Sequence, residues 1–387
     1  MWPGLIAALA LVDPAFSATY TISSPTTISA ADTTYDGHDI IVTGTTLTID
    51  GAHNFNSLQL TNSSTLTHSL SASQKLVLTS NTLTIDSTSR IDVSEKGLLP
   101  SSDVGIRAGG SYAGPATTGY ATTNAPYGDL RQPNEFGMGG RGANTNLTTR
   151  GGGGIKLVVG DLTLNGAILA NGETGEYSSF EGGGSGGSIW IEADTITGTG
   201  SISANGARGD TYSSGGGAGS GGRIAIYYND ISGFDLNNIE AVGGNDSDRG
   251  IYASVGTLYL KSKTSTTGDI RISHQNISRA PLPLPLADNG SDRLTVTGRA
   301  RVSLSDRYSD VNIEQYAVAI LQGSVQFDSL NLRAYSQVTT PEAGSADDPK
   351  VILTANTLTI DNTSRIDVSE KGLLPSSDVG IRAGGSY

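Results

Sequence analysis

Apolar residues recur in one arrangement four times between Ile155 and Lys261. The first apolar positions of the four copies are Ile155, Ile189, Ile224 and Leu258. Within each copy apolar residues alternate with polar residues or with residues that can face solvent, which is typical of a strand with one buried face. The alignment of the copies predicts that Ile191, Ile226 and Leu260 stack in one interior column.

A second short apolar run follows at Leu162 and Ile196, and a third follows at Ile168, Ile202 and Ile239, so we predict three short strands per repeat. We expect the glycine clusters Gly182–Gly187 and Gly215–Gly222 to form corners, since glycine readily adopts positive φ. Ordering one repeat of about 34 residues costs more backbone entropy than its few buried side chains return, so the repeats must stack. These features predict an all-β chain that folds as a parallel β-helix, or solenoid, with glycine-rich loop insertions; it is right-handed by the usual preference of parallel crossovers.

A longer repeat surrounds this one, because residues 77–112 recur as residues 352–387 with three differences, at an offset of 275 (387 − 112). We therefore expect a fragment of a longer array. The predicted organisation is a signal peptide at 1–18, N-terminal β coils or a cap at 19–75, a glycine-rich β-helix unit at 76–263, a proline-containing linker at 264–292 and the start of a second, truncated unit at 293–387.

Two segments depart from the strand pattern. Residues 5–12 are apolar and precede the small residues Ser17 and Ala18, as in a secretory signal, which indicates export. No other segment reaches the length of a membrane-spanning helix. Residues 97–154 show no periodicity, so we expect either a functional loop or poor order there.

Composition narrows the classes of partner. The chain has 52 glycines in 387 residues, no cysteine and a net charge of −13. A disulfide framework and a thiolate metal site are therefore excluded. The negative charge argues against nucleic acid and anionic membranes as partners. Neutral glycans and divalent cations remain open.

The glycine-rich runs at 182–191, 200–206 and 221–228 carry a family resemblance. They resemble the repeats of large bacterial secreted surface proteins that are described as adhesin-like or haemagglutinin-like. The resemblance implies a parallel β-helix at the cell surface and attaches no catalytic signature.

Several catalytic motifs match this sequence. The spacing Gly182-x-Gly184-x-x-Gly187 fits the dinucleotide-binding fingerprint, and the run around Ser185 fits a nucleophile elbow. Each run is followed by a predicted strand and not by the helix that either motif requires. We therefore predict neither a cofactor site nor a hydrolase triad.

Carboxylate pairs leave a second class of function open, since β-helical polysaccharide lyases or hydrolases need acidic residues close together. The candidate pairs are Asp246 with Asp248 and Asp347 with Asp348. We interpret them as solvated turn residues. Weak Ca²⁺ binding between stacked corners is the one metal interaction that the sequence leaves open.

The candidate ligand contacts are Tyr177 and Tyr212, which occupy equivalent places in successive loops. Their rings are expected about 4.8 Å apart along one edge. They either bind sugar rings or order the loops by packing on each other. Together with the repeats, they predict a secreted or cell-surface, non-enzymatic structural or adhesive protein, part of a larger adhesin or stalk, whose partners are extracellular glycans or cell-surface components.

Overall fold

The computed structural model describes residues 17–70, 75–118, 121–176, 180–210, 215–246, 250–275, 277–286, 290–341 and 352–371. Strands dominate these residues, and the one helix among them is a 3₁₀ turn, Leu236–Asn238. No helix in the described ranges is long and apolar enough to cross a membrane. The chain is therefore nearly all β, as the sequence predicts.

Strands follow one another closely along the chain. Those up to residue 203 are β1 (Thr19–Ile22), β2 (Thr26–Ile28), β3 (Asp39–Thr43), β4 (Thr46–Ile49), β5 (Gly51–Thr61), β6 (Thr65–Thr67), β7 (Leu76–Ile85), β8 (Arg90–Asp92), β9 (Gly154–Leu164), β10 (Ala167–Leu169), β11 (Ser188–Gly198) and β12 (Ser201–Ser203). Those that follow are β13 (Arg223–Tyr228), β14 (Asp230–Phe234), β15 (Ile239–Glu240), β16 (Asn245–Asp246), β17 (Ile251–Tyr252), β18 (Thr257–Ser262), β19 (Asp269–Ser273), β20 (Leu284–Leu286), β21 (Arg293–Thr297), β22 (Arg301–Ile313), β23 (Val318–Leu332), β24 (Gln337–Thr339), β25 (Ile352–Ile360) and β26 (Arg365–Ile366).

Two parallel sheets alternate along the first part of the chain. One sheet contains, side by side, β1, β3, β5, β7, β9, β11, β13 and β18. The other has seven strands and contains β2, β4, β6, β8, β10, β12 and β15. The chain therefore adds one strand to the first sheet and then one to the second, again and again, and the apolar core lies between them.

The predicted interior column is confirmed. Leu157, Ile191, Ile226 and Leu260 lie directly beside one another in parallel register, and all four are buried. The prediction of three strands per repeat is wrong for the copies that begin at Ile155 and Ile189, because their first two apolar runs belong to one strand of 11 residues, β9 or β11. Pairing of β9 with β11 continues past the midpoint of each strand, so no corner separates the two runs. The copy that begins at Ile224 does have three strands, β13, β14 and β15.

The predicted glycine corners are also wrong. No described glycine of 182–187 or 216–222 has a φ in the left-handed region. These segments, with residues 108–110, run side by side as a glycine layer: Gly110 N–H donates to Gly183 O at 3.0 Å, and Gly183 N–H donates to Gly217 O at 2.8 Å. A Cβ added at Gly183 or Gly217 would lie closer than 3.0 Å to a backbone carbonyl oxygen. Glycine is needed here for close backbone approach and not for a reversal.

Polar side chains hold a corner of the stack instead. Asn62 and Ser63, after β5, have φ angles of 56° and 63°. The N–H of Asn62 donates to the Asp86 carboxylate at 2.8 Å, and the N–H of Ser64 donates to Ser89 Oγ at 3.1 Å. The corner after β5 is thereby hydrogen-bonded to the corner after β7.

The segment 97–154 packs against the glycine layer wherever it is described. Gly110 N–H reaches Gly183, Ser185 N–H donates to Met138 O at 2.9 Å, and Thr149 Oγ1 donates to Gly182 O at 2.7 Å. Much of the segment is buried as a result.

A second stack begins where the chain reverses after β18. β19 pairs antiparallel with β18, and β19, β21, β22, β23 and β25 then follow one another in parallel. The second core contains Ala225 and Tyr259, which alternate with first-core residues along their strands. The two cores therefore lie on opposite faces of β13 and β18. Residues 264–292, where we expected a linker, hold β19 and β20 as well as turns.

Candidate functional site

The outer face of the first sheet carries aromatic and charged side chains. Because every second residue of β9, β11, β13 and β18 fills the core, the residues between them face outward. Lys156 lies beside Trp190, and Glu192 lies beside Tyr227. Lys156 Nζ is 3.6 Å from the centre of the Trp190 ring, which is a cation–π contact.

Residues 126–136, here called the covering loop, lie over this face. The Tyr227 hydroxyl donates to Arg131 O at 2.9 Å. The Arg131 guanidinium is 5.5 Å from the Tyr259 ring and pairs with the buried Asp292 carboxylate, Nη2 to Oδ2, at 2.6 Å. Arg131 thus joins the covering loop to the second stack.

Arg223, the first residue of β13, lies under the covering loop and is 8% exposed. Its Nε and Nη2 donate to Tyr127 O at 3.1 and 2.8 Å, and Nη2 also donates to Ala113 O at 3.4 Å. Burial lowers the pKa of Arg223, and the neighbouring Tyr112 and Glu135 act against that shift. No described carboxylate forms an ion pair with this guanidinium, which is an uncommon state for a buried charge.

Two tyrosines fix the geometry around Arg223. The rings of Tyr112 and Tyr127 are 4.8 Å apart, and burial raises the pKa of both well above the usual range. Both phenols therefore stay protonated at neutral pH. The Tyr112 hydroxyl is 2.6 Å from Ser188 Oγ, and the Tyr127 hydroxyl donates to Phe136 O at 2.6 Å.

A cleft of about 610 Å³ opens where the covering loop meets the second stack. Its lining residues are Ala113, Pro126, Tyr127, Gly128, Asp129, Leu130, Arg131, Arg223, Pro285, Leu286, Ser303, Ser305 and Gln322. The cleft combines apolar and aromatic surface with two guanidinium groups, one carboxylate, two serine hydroxyls and an amide. That mixture suits a polar ligand with an apolar ring face, such as a sugar.

Charge is distributed unevenly in this cleft. The Arg131 charge is paired with Asp292, and Asp129 Oδ1 accepts from the N–H groups of Arg131 and Gln132 at 2.6 and 3.1 Å. Arg223 alone of these three charged side chains has only carbonyl oxygens as described polar partners. The carboxylates of Glu135 and Asp129 act on Arg223 only from a distance, and a ligand carboxylate would give it a direct ion-pair partner.

The two tyrosines predicted as ligand contacts, Tyr177 and Tyr212, lie outside the described residues. The same holds for Asp248, Asp347 and Asp348, so neither carboxylate pair is described in full. The interpretation of Asp246 as a solvated turn residue is wrong, because Asp246 is 1% exposed and belongs to β16, which pairs antiparallel with β17. Asp246 does not line the cleft.

The histidines and the candidate metal ligands lie apart. His53 Nδ1 is 3.1 Å from Asp36 Oδ1, while burial lowers the pKa of His68 and His274. Within the described ranges, no three acidic or histidine side chains are grouped as a metal ion would need.

The dinucleotide and nucleophile-elbow patterns fall in the glycine layer. Gly187 and Gly222 lead into β11 and β13, so strands follow both clusters, as the sequence predicts. Ser185 is fully buried, and its Oγ accepts from Met138 N–H at 2.8 Å. Its hydroxyl therefore holds the segment 97–154 in place.

Sequence reasoning missed the cleft and Arg223. The polar and aromatic residues between the apolar positions of the strands were a signal for the outer face. No local pattern showed that Tyr127 lies against Arg223, because the two are 96 residues apart.

Comparison with models of known families, with characterised proteins and with solved structures gives no match to this chain. The resemblance to adhesin-like repeats therefore stays a prediction.

Proposed function

We propose that the two parallel sheets formed by β1 to β15 and β18, here called the first stack, fold as a right-handed parallel β-helix. The parallel register of successive long strands and of successive short strands supports this fold. The hydrogen bonds at the base of two loops support this fold further. The N–H groups of Gly187 and Gly222 donate to the carbonyl oxygens of Ala170 and Ala204 at 2.7 and 2.8 Å. Each loop thus leaves and rejoins the stack at one level. The handedness follows the general preference of parallel crossovers.

We further propose that the chain is an exported, non-enzymatic adhesive protein of the cell surface, and that it binds extracellular glycans in the cleft beside Arg223. The observation that carries this proposal is a buried guanidinium without a carboxylate partner in the wall of a cleft with aromatic surface. A β-helix of this kind is a rigid scaffold whose outer face and loops remain for recognition.

Arg223 favours glycans that contain an acidic sugar. Nε and Nη2 of Arg223 already donate to backbone carbonyl oxygens, so a ligand carboxylate would contact Nη1. A charge-assisted hydrogen bond of this kind is stronger where water is excluded. The net charge of −13 repels a polyanion at long range. Salt at physiological strength screens that repulsion beyond about 8 Å, while the contact inside the cleft is screened less.

Calorimetric titration of the full chain with neutral and uronic-acid oligosaccharides tests this proposal. We expect the acidic oligosaccharides to bind more tightly, by about tenfold, which is the order of one charge-assisted contact. Ser305→Trp, which fills the cleft without changing Arg223, should abolish binding. Gln326→Trp is the matched control on an exposed position of β23 outside the cleft and should bind normally. Equal binding by both variants would contradict the assignment.

The rival class, a polysaccharide lyase or hydrolase, is tested on the same samples. An enzyme would release new reducing ends or unsaturated sugars from pectin or alginate. We expect no turnover. Turnover that is lost in Asp246→Asn or Asp348→Asn would make the chain an enzyme and would replace the adhesive proposal.

A further inference from the structure

Two coils of this chain have nearly the same sequence. Residues 352–371 repeat residues 77–96 with three substitutions, Val77/Ile352, Ser80/Ala355 and Ser87/Asn362. The two coils also form the same corner. Asp361 accepts from the N–H groups of Ala334 and Thr363 at 2.7 and 2.9 Å, just as Asp86 accepts from those of Asn62 and Thr88 at 2.8 and 2.9 Å.

The environments of the two coils differ sharply. Leu83, Ile85, Ile91 and Val93 are fully buried, whereas their counterparts Leu358, Ile360, Ile366 and Val368 are 43%, 41%, 45% and 57% exposed. In the first coil, β9 lies on β7 and β10 lies on β8. Among the described residues no strand lies on the corresponding side of β25 and β26. We call this exposed surface the open end.

We propose that the open end binds a further coil of the type of residues 154–169, with a long strand parallel to β25 and a short strand parallel to β26. The first coil indicates which side chains the added coil needs. There Leu83 lies beside Leu162 and Ile91 lies beside Ile168, so the added coil needs apolar residues at those positions. Leu358 and Ile366 are the counterparts of Leu83 and Ile91 at an offset of 275. Apolar residues equivalent to Leu162 and Ile168 would therefore lie beside Leu358 and Ile366. β25 has nine residues, and its unpaired edge can form the backbone hydrogen bonds of a parallel pair with such a strand.

The pattern of exposed residues fits a coil better than a flat apolar partner. Polar threonines alternate with the apolar positions of β25, as in Thr357-Leu358-Thr359. Only a strand with the same alternation fits β25. Its apolar residues would lie beside the apolar residues of β25, and its polar residues would lie beside the threonines. An exposed apolar strand edge of this kind also favours association with another strand.

The test extends the full chain after Tyr387 by a flexible Gly-Ser linker and a copy of residues 152–171. The linker makes binding intramolecular, which compensates for the weak affinity expected of a free peptide. We expect the alternate backbone amides of residues 352–360 that point away from β23 to exchange with solvent at least tenfold more slowly than in the unextended chain. A matched extension that carries Ser in place of Leu157, Leu162 and Ile168 should give no protection.

A second variant keeps the test independent of the added segment. Leu358→Lys should fold, because the residue is already 43% exposed, and it should remove the protection given by the apolar extension. Equal protection by both extensions, or protection that survives Leu358→Lys, would overturn the proposal. Protection that rises with concentration in the unextended chain would assign the open end to a second copy and would also overturn it.

Discussion

Ile191 and Gly183 lie in adjacent copies of the repeat, yet they pack against their neighbours in different ways. Ile191 lies in a column of apolar side chains, where burial of surface stabilises the coils. Gly183 lies in the glycine layer, where backbones touch directly and hydrogen bonds connect three segments. The comparison shows that the repeat specifies side-chain volume at one end of the coil and the absence of side chains at the other.

The apolar interior gives the largest expected effect. Ile191→Asp would bury an unpaired charge between Leu157 and Ile226, which costs several kcal/mol. We expect loss of cooperative thermal unfolding over the neighbouring coils, as measured by circular dichroism. Glu192→Gln, on the half-buried outer side of the same strand, is the control and should unfold almost as the wild type does. A folded Ile191→Asp chain would contradict the interior column.

The two nearly identical coils sharpen the comparison. Leu83→Ala should destabilise the chain by about 2–5 kcal/mol, because it leaves a cavity in a filled interior. Leu358→Ala removes the same atoms from an exposed site and should cost less than about 1 kcal/mol. Urea unfolding of the two variants measures the difference. Equal losses would mean that the open end is covered in solution.

The glycine layer is tested by one substitution at two glycines. Gly217→Asn should cost about 1–3 kcal/mol, because its Cβ would meet the Thr117 carbonyl oxygen. Gly323→Asn should be nearly neutral, because Gly323 has a φ of +68°, which Asn tolerates, and open space around it. Chemical denaturation of both variants gives the comparison. The reverse order would restore the corner interpretation of the glycine clusters.

The smallest effect concerns the polar corner. Burial raises the pKa of Asp86, but hydrogen bonds from Asn62, Ser89 and Thr88 outweigh it and lower the pKa from 3.8 to about 2. Because the folded-state pKa lies below the unfolded value, this contribution is present above pH 3.8 and is lost as the pH falls through about 2.

Asp86→Asn should therefore reduce stability by less than about 1 kcal/mol at pH 5, since the carboxylate is largely solvated. The difference from the wild type should shrink as the pH falls to 2. Urea unfolding at both pH values measures it. A difference that stays constant with pH would exclude the ionised carboxylate as its source.

How far the sequence predicted this molecule depends on the range of the contacts. Alternating apolar residues placed Ile191 and Ile226 in one column, because burial of alternate residues is a local property of strands. The glycine clusters were misinterpreted, since composition alone does not distinguish positive φ from close approach. The cleft was missed because it joins Arg223 to a loop that is distant in the chain, and no pattern marked the reversal between β18 and β19.

The most direct test of the stacked coils is disulfide formation in a chain that has no cysteine of its own. Thr84, Thr163 and Thr197 lie side by side in register, on the outer side of β7, β9 and β11. Adjacent strands are roughly 4.8 Å apart, a spacing that a disulfide spans, while second neighbours are too far apart. After mild oxidation, mass spectrometry should find a disulfide in the Thr84→Cys/Thr163→Cys chain and none in the Thr84→Cys/Thr197→Cys chain. Equal cross-linking of the two chains, or a cross-link only in the second, would contradict the parallel stack.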